Sequence, residues 1–249
     1  MAVDTQSRWL RRYAPVGVPR LRLLCLPHAG GTASFFHSWG SAFGPDVEVL
    51  VARYPGRLER IAEPCLGTVE ELADALAEAV EGWTDLPLAV FGHSMGASVG
   101  YELTLRLVER YGVAPSLLLV SGRRPPHTVD PSRDELDDEG VVAEVRRLGG
   151  TDASLFDEPG LRELVLPAIR ADFAAVAAYR ARPGVPLPCP VVGYVGDADP
   201  EVDRAAVERW ADLAPLGFDS LELPGDHFYL LDQREPLIDD IRARLVPRR

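Results

Sequence analysis

Residues 88–99 read LAVFGHSMGASV, an apolar run followed by Gly92-His93-Ser94-Met95-Gly96 and then by the start of a helical pattern. A G-x-S-x-G sequence between a strand and a helix is a nucleophile elbow, a turn sharp enough to force an unfavourable backbone angle on its serine and lift the hydroxyl above the sheet edge. The pentapeptide alone is a weak signal; the strand before it and the helix after it make it specific. Working outward, residues 21–26, 47–53, 116–120, 190–195 and 218–223 are short apolar runs bounded by Gly, Pro or Asp, and read as buried strands. Between them Val69, Leu72, Ala73, Leu76, Ala79 and Val80 recur at helical spacing, as do Val99, Leu103, Leu107 and Val108. Alternating strands and helices imply an α/β fold with a mostly parallel central sheet and helices on both faces. A last helix is expected to start at an Asp232 N-cap, with Glu235 in its first turn, and to run through Leu237, Ile238, Ile241 and Leu245 until Pro247 closes the domain.

Residues 122–186 break that rhythm. No strand is evident there, and Val141, Val142, Val145 and Leu148 form one short helical face, while Leu161, Leu164, Val165, Ala168, Ile169, Val176 and Tyr179 form a longer one. We read this segment as a helical lid inserted into a single domain spanning 1–249, with Pro167 expected to kink or divide its second helix. Its exit, with Pro183, Pro186, Pro188 and Pro190, suits a boundary that holds a mobile element at a set distance. Core helices would show the same periodicity.

Composition narrows the chemistry. The chain of 249 residues has a net charge of −12, so its summed field repels phosphate polymers and anionic membranes, and neither nucleic acid nor membrane is an expected partner. All 26 basic side chains are arginine, which removes Schiff-base and P-loop lysine chemistry. Cys25, Cys65 and Cys189 are scattered and odd in number, which fits free thiols in a reducing compartment better than disulfides or a zinc site. The opening MAVDTQSRWLRRY lacks an apolar signal core, so a cytoplasmic location is expected.

A serine hydroxyl needs a neutral imidazole to take its proton. Of five histidines, His227 follows the last strand in Pro224-Gly225-Asp226-His227-Phe228 and so reaches the carboxyl edge of the sheet in the chain order serine, acid, histidine. His28 and His93 flank backbone elements beside the site, where packing or hydrogen bonding is expected of them; His37 and His127 read as surface or lid residues. The acid should lie after the strand at 190–195, in Gly196-Asp197-Ala198-Asp199-Pro200. Asp199 is favoured because the acid in such folds usually ends a G-x-x-D turn; Asp197 is the alternative, or a cap for that turn. Two backbone N–H groups should make an oxyanion hole, one from Met95 and one from Ala29 in the loop Pro27-His28-Ala29-Gly30-Gly31.

The ordered set LPHAGG at 26–31, YPGR at 54–57 with Arg60, GHSMG at 92–96, YEL at 101–103, SGRRPPH at 121–127, RADF at 170–173, GDADP at 196–200 and GDHFYL at 225–230 resembles the type II thioesterases. These are discrete enzymes of the α/β-hydrolase fold that accompany modular polyketide and nonribosomal peptide synthases. The resemblance covers essentially the whole chain; Asp226 is a departure, because many relatives carry glycine before the histidine. It implies hydrolysis of acyl groups from the phosphopantetheine arm of an acyl or peptidyl carrier protein, usually to edit stalled or misprimed chains, with no metal or redox cofactor. A chain that begins at Met1 and ends just after the last helix is further expected to be free-standing, and a monomer is expected.

Substrate choice is expected in the lid, where Phe156, Leu164, Ile169, Phe173 and Tyr179 would roof an apolar acyl chamber. Since carrier proteins are generally acidic, contact with one would need a local basic patch, for which Arg57, Arg60, Arg123 and Arg124 are the candidates. An ester or lipid hydrolase would share every catalytic residue, and a noncatalytic carrier-binding scaffold could keep the turn without the chemistry.

Overall fold

The computed structural model describes residues 8–13, 17–128, 136–150, 153–179, 183 and 185–245. Pro247 and the stretches 129–135, 151–152 and 180–182 of the expected lid lie outside the described residues. Seven strands form one sheet: β1 (Leu10–Tyr13), β2 (Leu21–Leu26), β3 (Val47–Ala52), β4 (Leu88–His93), β5 (Leu117–Ser121), β6 (Val191–Gly196) and β7 (Phe218–Leu223). Their order is β1-β3-β2-β4-β5-β6-β7, with every pair parallel except β1 against β3. The helices are α1 (Val69–Val80), α2 (Met95–Tyr111), α3 (Asp138–Leu148), α4 (Pro159–Ala178), α5 (Arg204–Glu208), α6 (Tyr229–Asp232) and α7 (Arg234–Leu245).

The apolar runs are continuous because both faces of each central strand are covered. Leu24 and Leu26 of β2, Leu50 and Ala52 of β3 and Leu88 and Val90 of β4 pack on the side of α1 and α2. Their alternating neighbours Leu23, Cys25, Val49, Val51, Ala89 and Phe91 pack on the opposite side, with Phe36, Trp39 and Ile241 of α7. Each such Val or Leu contributes about 1.5–3 kcal/mol by leaving water, so these two layers hold the sheet in place. Parallel strands place all their carboxyl ends on one edge, and ligands in open α/β sheets bind outside that edge.

The structure departs from the sequence reading in four places. The antiparallel edge strand β1 escaped notice because its sequence LRRY has exposed arginines in its middle and no apolar run. The last helix begins at Arg234; Asp232 instead ends the preceding short turn α6, because the chain turns at Tyr229 immediately behind His227. Of the two outcomes expected at Pro167, division does not occur: α4 is continuous from Pro159 to Ala178, since proline removes one internal N–H but the apolar face around Leu166, Ile169 and Ala175 stays packed. The helix after the elbow starts at Met95, within the G-x-S-x-G sequence and not after it. No helix among the described residues is long and apolar enough to cross a membrane.

At the elbow the two glycines serve close approach. A Cβ on Gly96 would collide with the Leu26 carbonyl of the neighbouring strand, and one on Gly92 with the Gly96 carbonyl. Gly112, by contrast, ends α2 at φ +67° with open space around it. Gly96→Ala is therefore expected to destabilise by about 3 kcal/mol or more, because backbone must move, and Gly112→Ala by only about 1 kcal/mol. Urea unfolding of both variants measures the contrast; equal losses would contradict it.

Candidate active site

Ser94 sits between β4 and α2 at φ +53°, ψ −118°, one of two non-glycine residues with positive φ among those described. Its N–H donates to the Ser121 carbonyl at 2.8 Å and its carbonyl accepts from Ala97 at 3.0 Å, so the strained conformation is held from both sides. Beneath it, His93 Nδ1 lies 3.0 Å from Ser121 Oγ, which lies 2.7 Å from the Tyr229 hydroxyl. This buried chain ties β4, β5 and α6 together under the serine.

The loops after β6 and β7 interlock. Asp197 accepts from the Gly225 N–H at 2.9 Å, and Ala198 donates to the Gly225 carbonyl at 2.9 Å. Gly196 has no room for a side chain, because the Gly225 and Asp226 carbonyls pass directly over it. Asp226 accepts from the Phe228 N–H at 2.8 Å and thereby fixes the turn that carries His227. The result brings Asp199 Oδ2 to 2.8 Å from His227 Nδ1, both side chains being almost wholly buried. The other Asp199 oxygen accepts from the Glu201 and Val202 N–H groups at 2.8 and 3.2 Å, which fixes the carboxylate plane. Of the two aspartates considered, Asp199 faces the imidazole and Asp197 caps the turn.

Ser94 and His227 line one cavity of about 1250 Å³, together with Ala29, Arg123, Arg124 and Phe173. A second cavity, of about 400 Å³, is lined by Leu58, Ile61, Leu164, Ala168 and Ile169; His28 borders both. Phe228 stands among three imidazoles, its ring centroid 4.7 Å from that of His28, 5.1 Å from His93 and 5.3 Å from His227. Burial, aided by the nearby His227 and Arg57, pushes the His28 pKa down to about 3. Burial, with His227 and His28 close by, likewise holds His93 well below the usual histidine range. Of the loop after β2, Gly30 donates its N–H to Asp172 Oδ2 at 2.7 Å and Gly31 to the His28 carbonyl at 2.9 Å.

The remaining sequence-derived residues divide. Leu164 and Ile169 line the smaller cavity and Phe173 the larger, whereas Phe156 is buried with Val141, Val142, Val145 and Leu166 in the packing between α3 and α4. Tyr179 does not face either cavity: its hydroxyl donates to Glu102 Oε1 at 2.7 Å in the core beside α2. Arg57 is not a surface cation but makes a buried bidentate pair with Asp172 at 2.6 and 2.9 Å. Arg60 is also buried, stacked on the Trp9 ring and paired with Glu63 at 2.6 Å. Both arginines satisfy local carbonyls and carboxylates, which leaves neither available to a partner's surface. Arg123 donates to Ser98 Oγ and Arg124 to the Glu201 carbonyl, both at 3.1 Å, and both are partly exposed on the larger cavity. Asp172 was overlooked; its signal was a carboxylate on the apolar stripe of α4, where burial demands a partner.

A family model for the thioesterase domain matches residues 21–245. The chain belongs to the thioesterase family. This thioesterase is 44% identical over 241 residues to thioesterase PikA5 of Streptomyces venezuelae, covering 96% of this chain and 85% of that one. Among solved structures it is similar to the type II thioesterase BorB of the borrelidin biosynthetic cluster, with 39% identity, a TM-score of 0.86 and coverage of 99% and 100% of the two chains. It is similar also to YbtT, a type II thioesterase of the yersiniabactin pathway, with 30% identity, a TM-score of 0.84 and 95% and 97% coverage. Its seven-stranded, mostly parallel sheet with flanking helices is accordingly the α/β-hydrolase fold.

The neutral histidines make stability depend on pH. In the unfolded chain an imidazole takes its proton near pH 6.5, whereas folded His28 resists it down to about 3 and His93 also stays neutral. The unfolded state therefore binds more protons below pH 6.5, and the fold loses about 1.4 kcal/mol per pH unit for each histidine as acid is added. Urea midpoints should fall between pH 6.5 and 5, and His28→Gln should flatten that fall. A midpoint independent of pH over this interval would contradict neutral burial.

Proposed function

We propose that this thioesterase hydrolyses acyl groups carried on the phosphopantetheine arm of an acyl or peptidyl carrier protein, as a discrete cytoplasmic type II enzyme that clears stalled or aberrant chains. The observation that carries the reading is the meeting, on one cavity wall, of the strained Ser94 and of His227 with its Asp199 partner at 2.8 Å. The printed names of PikA5, BorB and YbtT support the class of enzyme.

Ser94 Oγ attacks the thioester carbonyl carbon while His227 takes the hydroxyl proton through its Nε2; Asp199 holds the imidazolium that results. Nδ1 is occupied by Asp199, so Nε2 is the nitrogen left for this transfer. Collapse of the tetrahedral intermediate breaks the carbon–sulfur bond, and the same proton leaves with the thiol. Water, deprotonated by His227, then attacks the acyl carbon; the bond from that carbon to Ser94 Oγ breaks, His227 returns the proton to Oγ, and the acid leaves. The oxyanion is met by the Met95 N–H at the first turn of α2, where the helix dipole adds its positive end, and by the Ala29 N–H. Gly30 and Gly31 have committed theirs elsewhere, which leaves Ala29 as the donor in that glycine-rich stretch.

The two cavities suit the two halves of such a substrate. The larger carries Arg123 and Arg124, which suit the phosphate of the arm; the smaller, walled by Leu58, Leu164, Ala168 and Ile169, suits an apolar acyl chain. The segment from α3 through α4 covers both and acts as the lid of this single domain.

Ser94→Ala should abolish hydrolysis of acyl carrier protein and of the matched small-molecule thioester, and labelling by a fluorophosphonate with it. Wild type should prefer the carrier-bound form. Cleavage of a matched oxygen ester but of neither thioester would instead favour an esterase. Ala168→Phe, which fills the smaller cavity, should lower kcat/KM for an octanoyl thioester by at least about tenfold while sparing the acetyl thioester, since each buried methylene is worth about 0.8 kcal/mol. Equal losses on both chain lengths would place the acyl group elsewhere.

A further inference from the structure

One buried lid carboxylate is tied to the loop that carries Ala29. Asp172 lies on α4, is 1% exposed, and accepts the Gly30 N–H at 2.7 Å through the same Oδ2 that receives Arg57 Nη1 at 2.6 Å. Arg57 completes the bidentate pair at 2.9 Å and donates to the Gly31 carbonyl at 3.2 Å and the Pro55 carbonyl at 3.2 Å. The ion pair thus offers an acceptor to Gly30 and a donor to Gly31, gripping two consecutive residues immediately after Ala29. Ile169, one turn earlier on α4, lies against the Gly30 backbone where a Cβ would stand, and Gly30 itself takes φ +76°.

We infer that Asp172, held by Arg57, is a positioning residue that sets the oxyanion loop and makes the hole complete only when α4 is seated on the core. This rests on the reading of Ala29 as an oxyanion donor. A backbone N–H beside a residue anchored at 2.7 Å cannot swing far; released, the loop loses that constraint, and a misplacement of about 1 Å at a catalytic group costs on the order of 10²-fold in rate. An outward shift of α4 must either break the Gly30 bond or draw the loop with it, so thioester hydrolysis is linked to lid position through the contacts of Asp172.

The test compares two charge-free replacements of the pair. Arg57→Met with Asp172→Asn keeps an acceptor for Gly30; Arg57→Met with Asp172→Leu does not. On an octanoyl thioester of N-acetylcysteamine, the leucine pair should lose about 10²-fold in kcat with KM within about threefold of wild type. Its affinity for an octyl trifluoromethyl ketone, whose hemiketal oxygen occupies the hole, should fall in parallel. The asparagine pair should regain most of both. Equal kcat and ketone affinity in the two pairs, or a loss confined to KM and Tm, overturns the inference, because a merely structural role would not distinguish them. If the leucine pair fails to melt cooperatively, Arg57→Met with Asp172→Ala, smaller and equally without an acceptor, takes its place: kcat and ketone affinity below those of the asparagine pair at unchanged KM support the role, and values equal to that pair's overturn it. A wild type that neither hydrolyses the thioester nor takes the ketone at Ser94 defeats the catalytic reading itself. An active wild type with equally active variants defeats only the role of Asp172.

Discussion

Everything at the site depends on backbone passing against backbone where β4 turns into α2. Ser94 keeps its positive φ because Gly92 and Gly96 let the turn press onto itself and onto the Leu26 carbonyl. That contact fixes more than the serine. Leu26 is the last residue of β2, and the loop carrying Ala29 begins directly after it, so one steric constraint sets the distance between the nucleophile and the loop opposite. Parallel strands then deliver Asp199 and His227 to the same edge, and Gly196 repeats the device by letting the His227 loop cross over the end of β6. Strain of a few kcal/mol at a single residue persists because neighbouring elements leave it no alternative.

The architecture was legible where burial is two-sided. Strands β2 to β6 have apolar runs without a polar break long enough to confuse them, and the glycines around Ser94, Asp199 and His227 stand where close approach requires them. What escaped was the part decided by tertiary partners. Strand β1 is stabilised by pairing with β3 rather than by its own sequence, whose arginines face outward to Glu48 and Glu59. Tyr179 continues the apolar stripe of α4, yet a buried acceptor, Glu102, draws its hydroxyl into the core. Periodicity identifies the face of a helix; it does not identify what that face meets.

The same limit explains the arginines. A chain without lysine must use guanidinium for structural as well as surface charge, and a planar, bidentate donor can be buried where an ammonium is harder to satisfy. Arg22 pairs with buried Glu48, Arg106 with buried Glu102, and Arg57 with buried Asp172. Arg57 and Arg60, the candidates for a docking patch, act instead as fasteners: Arg57 holds Asp172 beside the smaller cavity, and Arg60 packs on Trp9 and pairs with Glu63. Such buried pairs are weak evidence for stability, since apolar replacements often do as well. The Arg57–Asp172 pair is better understood through what it orients.

Viewed that way, α4 has two unequal halves. Its carboxyl half is pinned twice: Asp172 holds the loop that contributes Ala29, and Tyr179, just past the helix end, holds Glu102 on the helix that begins with Met95. Both elements proposed to offer an oxyanion donor are therefore tied to the same stretch of α4. Its amino half carries Leu161 and Leu164, 42% and 51% exposed, and the two halves meet at Pro167, which supplies no N–H to the helical ladder. Opening of the smaller cavity by the amino half, hinged near Pro167, would leave the Asp172 and Tyr179 anchors intact. Opening by the carboxyl half would dismantle the catalytic edge. On the proposed reading, substrate entry and transition-state stabilisation then fall to different lengths of one continuous helix.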